Sequence, residues 1–158
     1  MNPEPAPDDA TRSAPAAPAV PADRLARLVE EFRALPADSD RKREIIAELD
    51  DNAAAQPFLV SVVADAGEYD LARTEAATVL RLWPPADPGL RHRAGRALLA
   101  ALNDPEEDLV RQYAAMALGP YASDDPAVAE ALIAAGGPEE DPLVQACARS
   151  ALKEAGLA

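Results

Sequence analysis

The sequence predicts an all-α chain of about eight helices, built as a repeating stack of helix pairs. Three observations carry this prediction. From Ala22 onward apolar residues recur at helical spacing, and no stretch alternates with period two long enough to argue for a strand. Asp-Pro dipeptides punctuate the second half of the chain at regular intervals. The chain also matches shifted copies of itself.

Residues 1–21 carry six of the sixteen prolines and few large apolar side chains. Such a segment cannot bury enough surface to offset its ordering entropy, so the expectation is a disordered Pro/Ala-rich tail ahead of one folded domain, 22–158. Helices are expected at about 22–34, 39–51, 56–66, 69–83, 88–103, 105–121, 126–135 and 142–156. The later starts are the best marked: Asp87-Pro88, Asp104-Pro105, Asp125-Pro126 and Asp141-Pro142 each precede a predicted helix. An N-cap aspartate accepts a hydrogen bond from an otherwise orphaned backbone N–H, and the following proline gives up a donor that the first turn cannot use.

The repeat emerges on self-comparison. Asp70-Leu71-Ala72-Arg73 lies over Asp108-Leu109-Val110-Arg111 at an offset of 38, and the match continues without a gap through Ala76/Ala114, Leu80/Leu118, Trp83/Tyr121 and Asp87-Pro88/Asp125-Pro126. At an offset of 34, Leu109, Val110, Ala114, Ala117 and Leu118 meet Leu143, Val144, Ala148, Ala151 and Leu152. Val110, Ala114, Ala117 and Tyr121 follow the spacing of one buried stripe, which Leu109 and Leu118 widen. The column Glu75, Tyr113, Cys147 is mixed in polarity and is expected to be at most partly buried. A helix pair of this kind cannot cover its own apolar face, whereas stacked neighbours bury it.

The pattern Asp-x-x-Arg-x-x-Ala-x-x-x-Leu, as Asp70/Arg73/Ala76/Leu80 and Asp108/Arg111/Ala114/Leu118, resembles the HEAT repeat. It is most similar to the short bacterial form named after the bilin lyases of the phycobilisome. The resemblance covers about 68–156; over 38–67 the helix lengths agree and the columns agree only loosely. The last copy departs from it, with Pro142 in the aspartate column and Gln145 in the arginine column. The resemblance implies a short right-handed α-solenoid capped by helix 22–34. It also implies a structural ladder in which Arg73 and Arg111 pair with Asp70, Asp104 or Asp108, and a partner-binding concave side lined by the second helix of each pair.

Composition limits the chemistry. Net charge is −13, so phosphate backbones and anionic lipids are repelled; neither nucleic acid nor membrane is an expected partner. Aromatic residues make up only 4% while alanine is abundant, which requires a core of closely approaching helices. Arginine outnumbers lysine, which with the alanine suggests a bacterial, GC-rich coding sequence. The N-terminus shows no basic leader followed by an apolar run, and the lone cysteine, Cys147, permits no internal disulfide; the expected location is the cytoplasm. With one histidine, His92, one cysteine and no phosphate loop or metal-ligand spacing, the sequence offers no catalytic, metal or cofactor site. The acidic runs Glu106-Glu107-Asp108 and Glu139-Glu140-Asp141 suit helix N-termini better than calcium, which needs converging oxygens.

One cluster stands out. "RLWPPADPGLRHRAGRALL" gathers Arg81, Arg91, Arg93 and Arg96 beside the only tryptophan, Trp83, with Tyr121 as its counterpart in the next copy. Arginine and tryptophan are enriched at interface hot spots. These six residues form the expected partner-binding site; Arg93 and Arg96, three apart, share a helix face opposite the stripe Leu90, Ala94, Leu98, Leu102. The expected function is that of a non-enzymatic protein-binding module of adaptor or immunity type. A bilin-lyase-like enzyme subunit and a nucleic-acid-binding repeat protein are the alternatives.

Overall fold

The computed structural model describes residues 20–158, and the structural statements below concern those residues. The predicted tail lies outside them except at its end, where Val20 packs half-buried against the core and the Pro21 carbonyl accepts a hydrogen bond from Leu25 N–H at 2.9 Å. The described chain is all-helical, without a strand: α1 (Ala22–Ala34), α2 (Arg41–Glu48), α3 (Gln56–Ala64), α4 (Asp70–Leu82), α5 (Pro88–Leu102), α6 (Asp108–Ala117), α7 (Pro126–Ala135) and α8 (Pro142–Glu154). Single 3₁₀ turns at Ala53–Ala55 and Gly119–Tyr121 lead into α3 and follow α6.

The helices form two layers. α2, α4, α6 and α8 pack side by side in one; α3, α5 and α7 pack in the other. Between the layers the close pairs are α3 with α4, α5 with α6, and α7 with α8, while α1 rests on α2. By this pairing α5 is the first helix of its pair and α6 the second, and α5 also packs on α3.

Three of the four Asp-Pro dipeptides act as expected. Asp87 accepts from Leu90 N–H, Asp125 from Ala127 N–H, and Asp141 from both Leu143 and Val144 N–H. Asp104 does not. It accepts from Glu106 N–H in the connecting loop, and α6 begins only at Asp108. The end of α6 also falls short of the expected 121. Pro120 cannot donate to the helix ladder, so the chain tightens into a 3₁₀ turn at Gly119. A Cβ on Gly119 would sit 3.3 Å from the Ala151 carbonyl oxygen, so α8 packs directly on this turn.

The core is built from small residues, as the composition requires. Ala72, Ala76, Ala94, Ala114 and Ala148 are wholly buried and let backbones approach closely. The repeat's leucine column lies in the same seam: Leu80 and Leu118 are 0% exposed and Leu152 is 7% exposed. The repeat reaches further than the sequence comparison shows. At an offset of 31, Lys42, Ile45, Ile46 and Leu49 on α2 stand where Arg73, Ala76, Ala77 and Leu80 stand on α4, and all eight are buried.

Candidate docking face

The polar rungs fix the register of the stack. Arg73, 3% exposed, donates from Nε and one terminal nitrogen to the Val63 carbonyl at 3.2 and 3.0 Å. Its other terminal nitrogen donates to the Asp104 carboxylate at 2.9 Å. Arg111 repeats the device, donating to the Leu102 carbonyl at 2.9 Å and to the Glu140 carboxylate. In each rung the carbonyl belongs to the same helix pair and the carboxylate to the loop of the next. Lys42 supplies an earlier rung: its ammonium donates to Glu68 and lies 4.9 Å from the Phe32 ring centroid. Gln145 keeps only the carbonyl half, donating to the Gly137 oxygen at 2.7 Å.

The acids of the ladder match the expected set in part. Asp104 pairs with Arg73, and Asp108, though exposed, pairs with Arg111 within α6 at 3.6 Å. Glu140, outside the expected set, carries that rung to the next pair, and Asp70 accepts from Leu71 N–H instead. The Glu106 N–H, and then the Arg73 guanidinium, hold the Asp104 carboxyl below its ordinary pKa. The hydrogen bond from Arg111 holds Glu140 below its own.

The predicted arginine site is largely spent within the fold. Arg91 donates to Asp124 and, at 2.7 Å, to the Pro120 carbonyl, and it lies over the Tyr121 ring. Arg96 pairs with Asp125 at 3.0 Å and Arg81 with Glu154 at 3.2 Å. Arg93 is exposed and has no carboxylate within ion-pair distance among the described residues. His92 is exposed, with Nδ1 3.8 Å from Asp125. A groove of about 390 Å³ lies beside Arg91, His92, Tyr121, Asp124 and Asp125, where cation and anion are matched.

Tyr121 is 2% exposed, and its hydroxyl donates to the Leu80 carbonyl at 2.6 Å. It is a buried strut rather than a partner contact, and burial raises its phenol pKa. Trp83, its counterpart in the repeat, is 43% exposed. The difference follows from the helix ends: α4 runs uninterrupted to Leu82, whereas Gly119-Pro120 turns the chain and carries Tyr121 inward.

The apolar surface that the chain leaves open lies elsewhere. Leu109, Tyr113 and Met116 stand at i, i+4 and i+7 on α6, turned away from its buried stripe. Leu109 and Tyr113 are both exposed, so Leu109 does not widen the buried stripe as expected. The equivalent positions on the flanking helices are Leu71 and Leu82 on α4, with Thr78 and the Arg43-paired Glu75 between them, and Leu143 and Cys147 on α8. Leu143 is 61% and Leu82 59% exposed. Partial burial raises the Cys147 thiol pKa. The sequence signal was present, because a second stripe at helical spacing runs parallel to the buried one.

One edge of this face is acidic. The loops entering α2, α4 and α6 meet around a cleft of about 310 Å³ lined by Asp38, Glu68, Asp70, Asp104, Glu106 and Glu107. Arg73 and Lys42 neutralise Asp104 and Glu68 from within. Among the described residues no cation lies within ion-pair distance of Asp38, Asp70, Glu106 or Glu107. Asp70 and Asp108 adjoin Leu71 and Leu109, so the acidic edge and the apolar face are continuous.

The described chain is thus an all-helical protein of eight α-helices, and no described helix is long and apolar enough to cross a membrane. No protein-family model, no curated protein and no solved structure matches the chain.

Proposed function

We propose that the chain is a short α-solenoid of the HEAT type that works as a non-enzymatic protein-binding module, of the adaptor or immunity kind. The observation that carries this reading is the exposed layer of α4, α6 and α8, where Leu82, Leu109, Tyr113 and Leu143 stand open with no partner in the described chain. Isolated surface leucines are ordinary; four large apolar side chains left open on one layer, one of them aromatic, favour an interaction surface. Tyrosine at such a centre offers a rigid ring and a polar tip at low entropic cost. The right-handed superhelix implied by the HEAT resemblance would make α2, α4, α6 and α8 one continuous strip.

The test is affinity capture from a lysate of the source organism, with the wild-type chain and with Tyr113→Asp and Leu143→Asp as baits. A partner retained by the wild type and lost by both variants is expected, with all three baits melting within a few degrees of one another. Arg93→Glu/Arg96→Glu should retain the partner, since this reading places binding on the opposite layer. A partner that ignores the α6–α8 substitutions but follows the arginine reversal would return the site to the α5 surface.

A further inference from the structure

We propose that the occupant of this face is an amphipathic helix of a partner protein, apolar along one stripe and basic along the adjoining edge; this deepens the reading above and rests on it. The geometry of the layer selects a helix. Leu109, Tyr113 and Met116 form a ridge along α6, with Leu71 and Leu143 to either side at the same level, and such a ridge-and-flank relief accepts apolar side chains at i, i+3, i+4 and i+7.

The acidic edge selects the charge. Asp70, Glu106 and Glu107 line the cleft beside Leu71 and Leu109, and Asp108 stands at the mouth of the ridge. The helix N-termini there already draw some of this negative charge, and the rung cations Lys42 and Arg73 face inward. What remains toward solvent beside the apolar strip is Asp70, Glu106 and Glu107 without a cation within ion-pair distance among the described residues, and Asp108, which Arg111 approaches at 3.6 Å. Lysine or arginine on the partner can lay its aliphatic stem on Leu71 or Leu109 while its head reaches the carboxylates. A second copy of this chain fits poorly, because it brings the same acidic edge and a net charge of −13.

The experiment is a selection of displayed 18-residue helical peptides on the full chain, followed by affinity measurement in 0.1 M and 0.5 M salt. The expected peptides carry a four-position apolar stripe and an excess of Lys and Arg on its flank. They should lose at least tenfold in affinity to Tyr113→Asp. They should also lose about tenfold to Glu106→Gln/Glu107→Gln in 0.1 M salt, and that second loss should shrink in 0.5 M salt as screening shortens the reach of the carboxylates. Peptides that need Tyr113 but show no basic preference would overturn the assignment of charge and leave the face as a docking site. Peptides indifferent to Tyr113, or no peptides at all, would overturn both readings. Self-association of the chain, abolished by Tyr113→Asp in sedimentation equilibrium, would replace the foreign helix with a second copy.

Discussion

Replacing Asp104 with alanine tests whether the rungs hold the stack together. The Arg73 guanidinium is 3% exposed and has two kinds of acceptor, the Val63 carbonyl and the Asp104 carboxylate. Guanidinium cannot shed its proton at any accessible pH, so Asp104→Ala leaves a buried, uncompensated cation. Breaking a buried pair from one side costs about 3–5 kcal/mol. For a domain of this size each kcal/mol lowers the melting temperature by about 3 °C, so the variant should melt ~10–15 °C below the wild type. Asp104→Asn keeps an acceptor oxygen and should lose roughly half as much. The decisive variant is Arg73→Met/Asp104→Ala. It removes the stranded charge, at the cost of an unpaired Val63 carbonyl, about 1–2 kcal/mol. The second substitution should therefore stabilise the chain in the background of the first. Urea denaturation followed by circular dichroism measures all four proteins. A single variant within 1 kcal/mol of wild type, or a double variant weaker than the single, would show that this rung behaves as a surface pair.

Acid should act through the same rungs. Asp104 and Glu140 both titrate below their ordinary values in the folded chain, so their contribution is complete above the unfolded carboxyl range of about 3.9–4.3 and is lost as pH falls through the lower folded values. The stability gap between wild type and Asp104→Asn should be constant from pH 7 to 5 and close below pH 4, as measured by thermal melts across that range. Tyr121→Phe removes the 2.6 Å donor from the Leu80 carbonyl and leaves a buried acceptor unpaired, which should cost about 1–2 kcal/mol without changing the fold by circular dichroism. Ala114→Glu puts a carboxylate into a wholly buried position between helices and should abolish the cooperative melt.

The repeated helices were legible because a single period governs them. Ala76, Leu80, Ala114, Leu118, Ala148 and Leu152 all land in one seam, and the Asp-Pro caps at 87, 125 and 141 open their helices. The earlier rung was not legible. Lys42 replaces the signature arginine, Ser39 replaces the aspartate of Asp70, and isoleucines replace alanines, so α2 shares the burial pattern of α4 without its letters. The exposed side of α6 was half legible. The mixed column Glu75, Tyr113, Cys147 pointed to a partly open side, but Leu109 was expected inside, because which flank of the stripe faces water depends on where α4 and α8 pack. The arginine cluster shows what sequence density leaves out: Asp124, Asp125 and Glu154 arrive from distant segments to pair with Arg91, Arg96 and Arg81, while Arg93 has no such partner among the described residues.

The departure of the last copy from the repeat separates the two halves of a rung. Arg73, Arg111 and Gln145 donate to carbonyls ten, nine and eight residues upstream, so all three tie a helix to its own pair. Only the arginines go on to a carboxylate from the next loop. α8 packs on α6, α7 and the 3₁₀ turn, and no described loop brings an acid to Gln145. A guanidinium there would gain charge without a counter-charge, whereas an amide satisfies the Gly137 carbonyl at no such cost. Gln145→Arg should therefore add no stability despite restoring the repeat's signature, while Gln145→Leu should lose about 1 kcal/mol or less, because the Gly137 carbonyl loses its shorter donor but still accepts from Glu140 N–H at 3.3 Å. Stabilisation by Gln145→Arg in a urea titration would mean that the carbonyl half alone sets the worth of a rung, and the ladder's long reach between pairs would then contribute little.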